Sequence, residues 1–228
     1  MRAQLQPQPV NEVGRAYAGS QKQIQSCVNL CPERFTSAVA DVLQLPQSMR
    51  TTVEWVSPLA RDSYIEYRDT EFLEVLGLSR YAPELAQFWP AGGPCWDALA
   101  RIENGCILVE AKSHVSEIYG TGCRAGPRAL ATINAALDET KRWLGVPTRT
   151  NWTGKLYQTA NRYAHLYFLR EKCSLEAYLV NVYFVGDPRT PTSEQQWRAG
   201  IQEVNAEMGI TSAVPFCASL FFHVAELP

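Results

Sequence analysis

Three charged residues, Asp97, Glu110 and Lys112, have the types and spacing for chemistry. Glu110 and Lys112 end the apolar run CILVEAK, and residues i and i+2 of a strand face the same side. A carboxylate and an ammonium group are therefore expected side by side. Asp97 lies thirteen residues before Glu110, and the intervening Asn104-Gly105 pair is a strong hairpin signal. Folding back at that turn brings the two acids together. Converging carboxylates suit a hard, oxygen-liganded cation. Such a cation neutralises charge at phosphorus during phosphodiester hydrolysis, and a neighbouring lysine orients or activates the attacking water.

The pattern is weighed against chance. With 5 lysines and 23 acids in 228 residues, an acid two places before a lysine is expected about 0.5 times. It occurs twice, at Glu110-Ala111-Lys112 and Glu139-Thr140-Lys141. The second pair sits in a helical, charged stretch where the side chains diverge. The bland reading of the first is a surface ion pair worth about 0–1 kcal/mol, but its place after Ile107-Leu108-Val109 favours a role. Alternation extends to His114, so Glu110, Lys112 and His114 are expected on one face, where His114 contacts phosphate or a carboxylate, or is simply structural. Further on, Gln158, Asn161, Arg162 and His165 fall at i, i+3, i+4 and i+7 of a helix. Amide, guanidinium and imidazole groups suit phosphate and base edges better than an ordinary solvated face does.

The stretch PCWDALARIENGCILVEAKSH, residues 94–114, resembles the PD-(D/E)XK nuclease superfamily, with Pro94 three places before Asp97. The resemblance spans about residues 66–185 and implies a restriction-endonuclease-like core. It implies magnesium or manganese held by Asp97, Glu110 and an upstream glutamate, with Lys112 as the catalytic cation. Glu71 is the preferred upstream acid, because Glu74 is flanked by Leu73, Val75 and Leu76; Glu66 is a third candidate, and Glu117 lies just after the strand. Some members bring a glutamine to the site from the following helix, and Gln158 is similar to that element. The exonuclease-like subgroup has Gln-x-x-x-Tyr, whereas here position 162 is Arg and Tyr follows at 163. The implied partner is nucleic acid, DNA first, contacted by His114, Gln158, Asn161 and Arg162. A homodimer is a common arrangement for cutting both strands. The implied activity is that of an endonuclease. Two alternatives stay open: a catalytically silent nucleic-acid-binding or scaffold protein of this fold, and a metal-dependent nucleotide hydrolase.

The elements that must position these residues read as follows. A helical pattern over residues 21–45 is interrupted at Pro32. A short strand is expected over 51–56, and a helix starts at Asp69 or Thr70 and stops at Gly77. A turn or two of helix over 83–88 precedes the breaker PAGGPC. The hairpin occupies 96–114. The Gly-rich segment 117–126 reads as a flexible loop, with a phosphate cradle near Arg124 and Arg128 as the sharper alternative. Helices follow over 127–144 and 154–172, then a strand over 175–185, a helix capped by Thr192 or Ser193, and a strand over 213–224. The fold class is α/β, a mixed central β-sheet flanked by helices.

Composition sets the outer bounds. The chain has 228 residues, 46% hydrophobic and 19% charged, which excludes wholesale disorder and suits one domain. Residues 1–20 read as a flexible tail and 21–228 as a single α/β domain. No apolar run reaches the roughly 18 residues of a membrane helix, and MRAQLQPQPV lacks a signal-peptide core, so a cytoplasmic location is expected, with no membrane partner. Seven cysteines without a CxxC pair argue against a disulfide framework or zinc ribbon. Net charge is −2, yet residues 112–172 hold 10 basic and 4 acidic groups. That excess reads either as an anion footprint or as solvated helix faces.

Overall fold

In the computed structural model, residue 11 and residues 13–228 are described. The apolar run ending in Glu110 and Lys112 is the middle strand of a five-stranded sheet. The strands are β1 (Glu54–Ser57), β2 (Ala98–Ile102), β3 (Gly105–Lys112), β4 (Glu176–Val185) and β5 (Cys217–His223), and they lie in that order. The first three pair antiparallel; β3, β4 and β5 pair parallel. A parallel pair needs a crossover connection. Helices α6 (Pro127–Trp143) and α7 (Tyr157–Tyr167) supply the one between β3 and β4, and α8 (Glu194–Met208) the one between β4 and β5.

Period-two alternation divides β3 between two cores. Ile107, Val109 and Ala111 pack with α1 (Gly19–Leu30) and α2 (Pro32–Val42), through Ile24, Phe35 and Val39. After α3 (Gln47–Arg50), the remaining helices belong to the other face. There Cys106 and Leu108 share a core with Phe72 and Leu73 of α4 (Asp69–Val75), Leu85 of α5 (Ala82–Phe88), Ile133 and Leu137 of α6, Ala160 and Ala164 of α7, and Trp197 of α8. Each large aliphatic or aromatic side chain so buried contributes about 1.5–3 kcal/mol before entropy is charged against it. The mixed sheet flanked by helices is the expected α/β class.

Several local expectations are corrected. The hairpin turn is Glu103-Asn104, since Ile102 pairs with Gly105. Gly105 is the first residue of β3, and a Cβ there would lie 2.1 Å from the Glu176 carbonyl oxygen. Glycine is needed for close approach of β4, and neither turn residue has positive φ. Asp69 does not cap α4; its carboxylate accepts from the N–H groups of Gly92 and Gly93 and so pins the breaker loop. The helix expected over 154–172 starts at Tyr157 and closes in a π turn over Phe168–Lys172. The tail expected over 1–20 falls largely outside the described residues. Within it, however, Ala16 is buried, its N–H donates to Gln25 Oε1, and α1 begins at Gly19. Ser193 caps α8 in a full capping box with Gln196.

Candidate active site

The β3 face that carries Cys106 and Leu108 runs on to Glu110 and Lys112. Glu110 is therefore drawn into the core side of the sheet, and it is 4% exposed. Three donors meet it there. Gln158 Nε2 donates to Oε1 at 2.8 Å, Arg162 Nε donates to Oε2 at 2.6 Å, and Lys112 Nζ also contacts Oε1. Arg162 is held in turn by the Cys95 carbonyl at 2.8 Å, by Asn161 Oδ1 at 2.9 Å, and by the face of Trp96. Burial alone would raise the Glu110 carboxyl, but Arg162 and Lys112 more than offset it and hold the group below its usual range.

Asp97 immediately precedes β2, where Ala98 pairs with Val109. Its Oδ2 accepts from the Ala111 N–H at 2.7 Å, which ties the acid to the strand that carries Glu110 and Lys112. Burial pushes the Asp97 carboxyl well above its usual range; Glu110 and Glu66 push it further, against Lys112. Glu66 is also raised, first by burial and then by Glu110, while a hydrogen bond from Gln21 works against both. Negative charge is thus in excess around Asp97 and Glu66, while Glu110 is matched by cations.

The upstream acid that reaches this group is Glu66. Glu71, preferred from the sequence, and Glu74 are both exposed on α4. The expected Glu110–Lys112–His114 face stops at Lys112, where β3 ends. His114 turns to its own neighbourhood, with Nδ1 2.6 Å from Ser116 Oγ. Gln158, Asn161 and Arg162 do converge on the site, but they are spent on Glu110 and on one another. His165, the fourth member of the stripe, is buried among Phe72, Trp89 and Trp96. Glu117 accepts from Ser113 N and Oγ and so closes the end of β3.

Beside Lys112 opens a cleft of about 480 Å³. Gly93, Pro94 and Cys95 line it together with Tyr119–Gly122 and the start of α7. The Gly-rich segment, expected to be flexible, is pinned: Gly120 N–H donates to the Lys155 carbonyl at 2.7 Å, and Cys123 N–H to that of Thr153 at 2.8 Å. Gly122 has φ +78°, and a Cβ there would sit 3.1 Å from the Thr153 carbonyl oxygen. Gln21, Cys95, Trp96 and Tyr157 were not singled out from the sequence. Trp96, adjacent to Asp97, offered a local signal; Gln21 reaches Glu66 across 45 residues and offered none.

The donor set bears on the implied metal. Among the described residues, no group of three or more His, Cys, Asp or Glu side chains is placed to hold a metal ion. Glu110 nevertheless raises both Asp97 and Glu66, and the buried Gln21 Oε1 beside Glu66 has no hydrogen-bond partner among the described residues. Oxygen donors with surplus negative charge fit a hard divalent cation that keeps most of its waters. Compared with protein-family models, curated proteins and solved structures, the chain matches none. Among the described residues, no helix is long and apolar enough to cross a membrane.

Proposed function

We propose that the protein is a magnesium-dependent phosphodiester hydrolase, a DNA endonuclease with a restriction-endonuclease-like core. The observation that carries this reading is the meeting of Asp97, Glu110 and Lys112 on one side of a strand pair, beside an open cleft. Asp97 and Glu110 would hold the cation, with Glu66 as a neighbouring carboxylate. When bound, it supplies Lewis-acid neutralisation of charge at the phosphoryl oxygen. Lys112 orients the attacking water. The water oxygen bonds to phosphorus as one P–O ester bond breaks; one water proton passes through solvent to the leaving oxygen, and the other stays with the new phosphate. Gln158 and Arg162 keep the Glu110 oxygens in place, and Arg162 is in turn locked by Cys95 and Trp96.

One observation favours a second reading. Glu110 already accepts from Lys112, Gln158 and Arg162, so its charge is balanced without a metal. That suits a catalytically silent nucleic-acid-binding protein. Wild type and Asp97→Asn decide between them on supercoiled plasmid and circular single-stranded DNA with magnesium. The expected result is metal-dependent cutting by wild type, reduced at least about 10²-fold in the variant. The variant should also melt roughly 2–4 °C higher at neutral pH, because the amide removes a carboxylate whose ionisation is opposed first by burial and then by Glu110 and Glu66. Cutting of neither DNA by wild type, or an active Asp97→Asn, would overturn the proposal. Hydrolysis of short nucleotides alone would favour the nucleotide hydrolase.

A further inference from the structure

We infer that the strand to be cut enters as a single strand, with one base stacked on Tyr157. This inference rests on the nuclease reading and adds the form of the substrate. The reacting groups are recessed: Glu110 is 4% exposed and the Lys112 side chain 14%. Glu110 lines a pocket of about 20 Å³ that shares Lys112, Gln158 and Arg162 with the larger cleft, so a phosphodiester meets Lys112 from that cleft, whose walls include Gly93–Cys95 and Tyr119–Gly122.

Both walls are built rather than loose. Asp69 accepts from Gly92 N–H at 3.0 Å and Gly93 N–H at 2.8 Å. The other wall is fastened to residues 153–155 by the two backbone bonds of Gly120 and Cys123. About 480 Å³ accommodates a nucleotide-sized group. A duplex presents two paired strands and base pairs held out of reach, so its bases enter such a cleft only after leaving the stack.

The cleft also offers the surface that single strands use. Tyr157, the first residue of α7, lines it and is backed by Trp89, whose ring lies 6.4 Å away and nearly parallel, at 18°. Tyr119 also lines the cleft, and Lys155 Nζ sits 5.0 Å from its ring centroid. Bases stack on aromatic rings with little regard to sequence. A net charge of −2 gives the whole protein little long-range hold on the dense charge of a duplex, so contact with the base carries more of the binding.

The test compares a labelled single-stranded oligonucleotide with its duplex, using magnesium and the full chain, for wild type, Tyr157→Leu and Tyr157→Phe. Wild type is expected to cut the single strand at least tenfold faster. Tyr157→Leu should raise KM for the single strand about tenfold while leaving kcat within a fewfold, and Tyr157→Phe should restore wild-type KM. Equal or faster cutting of the duplex, or a Tyr157→Leu enzyme with unchanged KM, would sink this inference and leave the nuclease reading standing. If wild type cuts neither form, both fall. A thermal melt of each variant guards against reading misfolding as lost stacking.

Discussion

Glu110 shows what a buried charge demands. Taking a carboxylate out of water costs several kcal/mol unless cations and hydrogen-bond donors meet it, and here three donors do. Arg162, not tyrosine, therefore follows Gln158 by four residues: the second oxygen of Glu110 is served by a guanidinium. His165 shows the opposite solution. Burial pushes its imidazole down to about 4, so it is neutral at pH 7, with the Asn161 carbonyl 2.8 Å from Nδ1. A histidine whose folded pKa lies below the unfolded value near 6.5 favours the folded state at high pH. That stability is lost as pH falls from about 6.5 to about 4. It is on the order of 3 kcal/mol. In His165→Leu the acid side of the stability curve over that window should be flatter, as urea melts at several pH values would show. An unchanged slope would mean the imidazole is solvated. From the sequence, His165 belonged to a stripe with Gln158 and Arg162; only its aromatic surroundings separate it from them.

At the scale of elements, the hairpin that joins Asp97 to Glu110 was legible, because its apolar alternation and turn residues are local signals. Its register was not. The Asn-Gly pair suggested a turn centred on residues 104 and 105, yet the chain turns one residue earlier. The reason is β4: the backbone of Glu176 approaches Gly105 so closely that a Cβ has no room. Pairing with a strand 71 residues away decided the local geometry. Gly105→Ala is therefore expected to destabilise the protein by about 2–4 kcal/mol, since backbone rather than a movable side chain is in the way. Thermal melting reads this directly. Asn104→Gly, which touches only the turn, should change stability by less than about 1 kcal/mol. Comparable losses for both would place the constraint in the turn. The same logic explains Glu66. It lies before α4 rather than on it, so helical periodicity pointed to Glu71 and Glu74 instead.

Over the whole molecule, the basic excess of residues 112–172 divides in two: Lys112, Lys141 and Arg162 are withdrawn from solvent, whereas Arg124, Arg128, Arg142, Arg149, Lys155 and Lys172 are exposed. Arg162 is in the candidate site, Lys155 pairs with Glu207 at 2.9 Å, Lys172 pairs with Glu139 at 2.6 Å, and Lys141 is buried near Trp152. The cations that line the cleft are Lys112 and Arg162, while the exposed ones lie outside its lining. Binding of a single-stranded oligonucleotide is accordingly expected to involve few phosphates. The plot of log affinity against log salt should have a slope of about −2, measured by fluorescence anisotropy. A slope steeper than about −5 would reveal a broad basic surface and contradict the assignment of binding to the cleft.

The sequence alone determined what depends on neighbours in the chain. It marked the hairpin, the bounds of α6, the cap of α8, the α/β class, and the placement of Glu110 and Lys112 on one strand face, because periodicity, turn chemistry and proline act over a few residues. Tertiary structure decided what depends on distant segments. It selected Glu66, turned Gln158 and Arg162 inward onto Glu110, withdrew His114, and fastened the glycine-rich wall to residues 153–155. The physical reason is the cost of burial. A strand can announce that it carries a carboxylate, but which groups neutralise that carboxylate is settled only when the sheet and its helices pack and exclude the water that would otherwise do so.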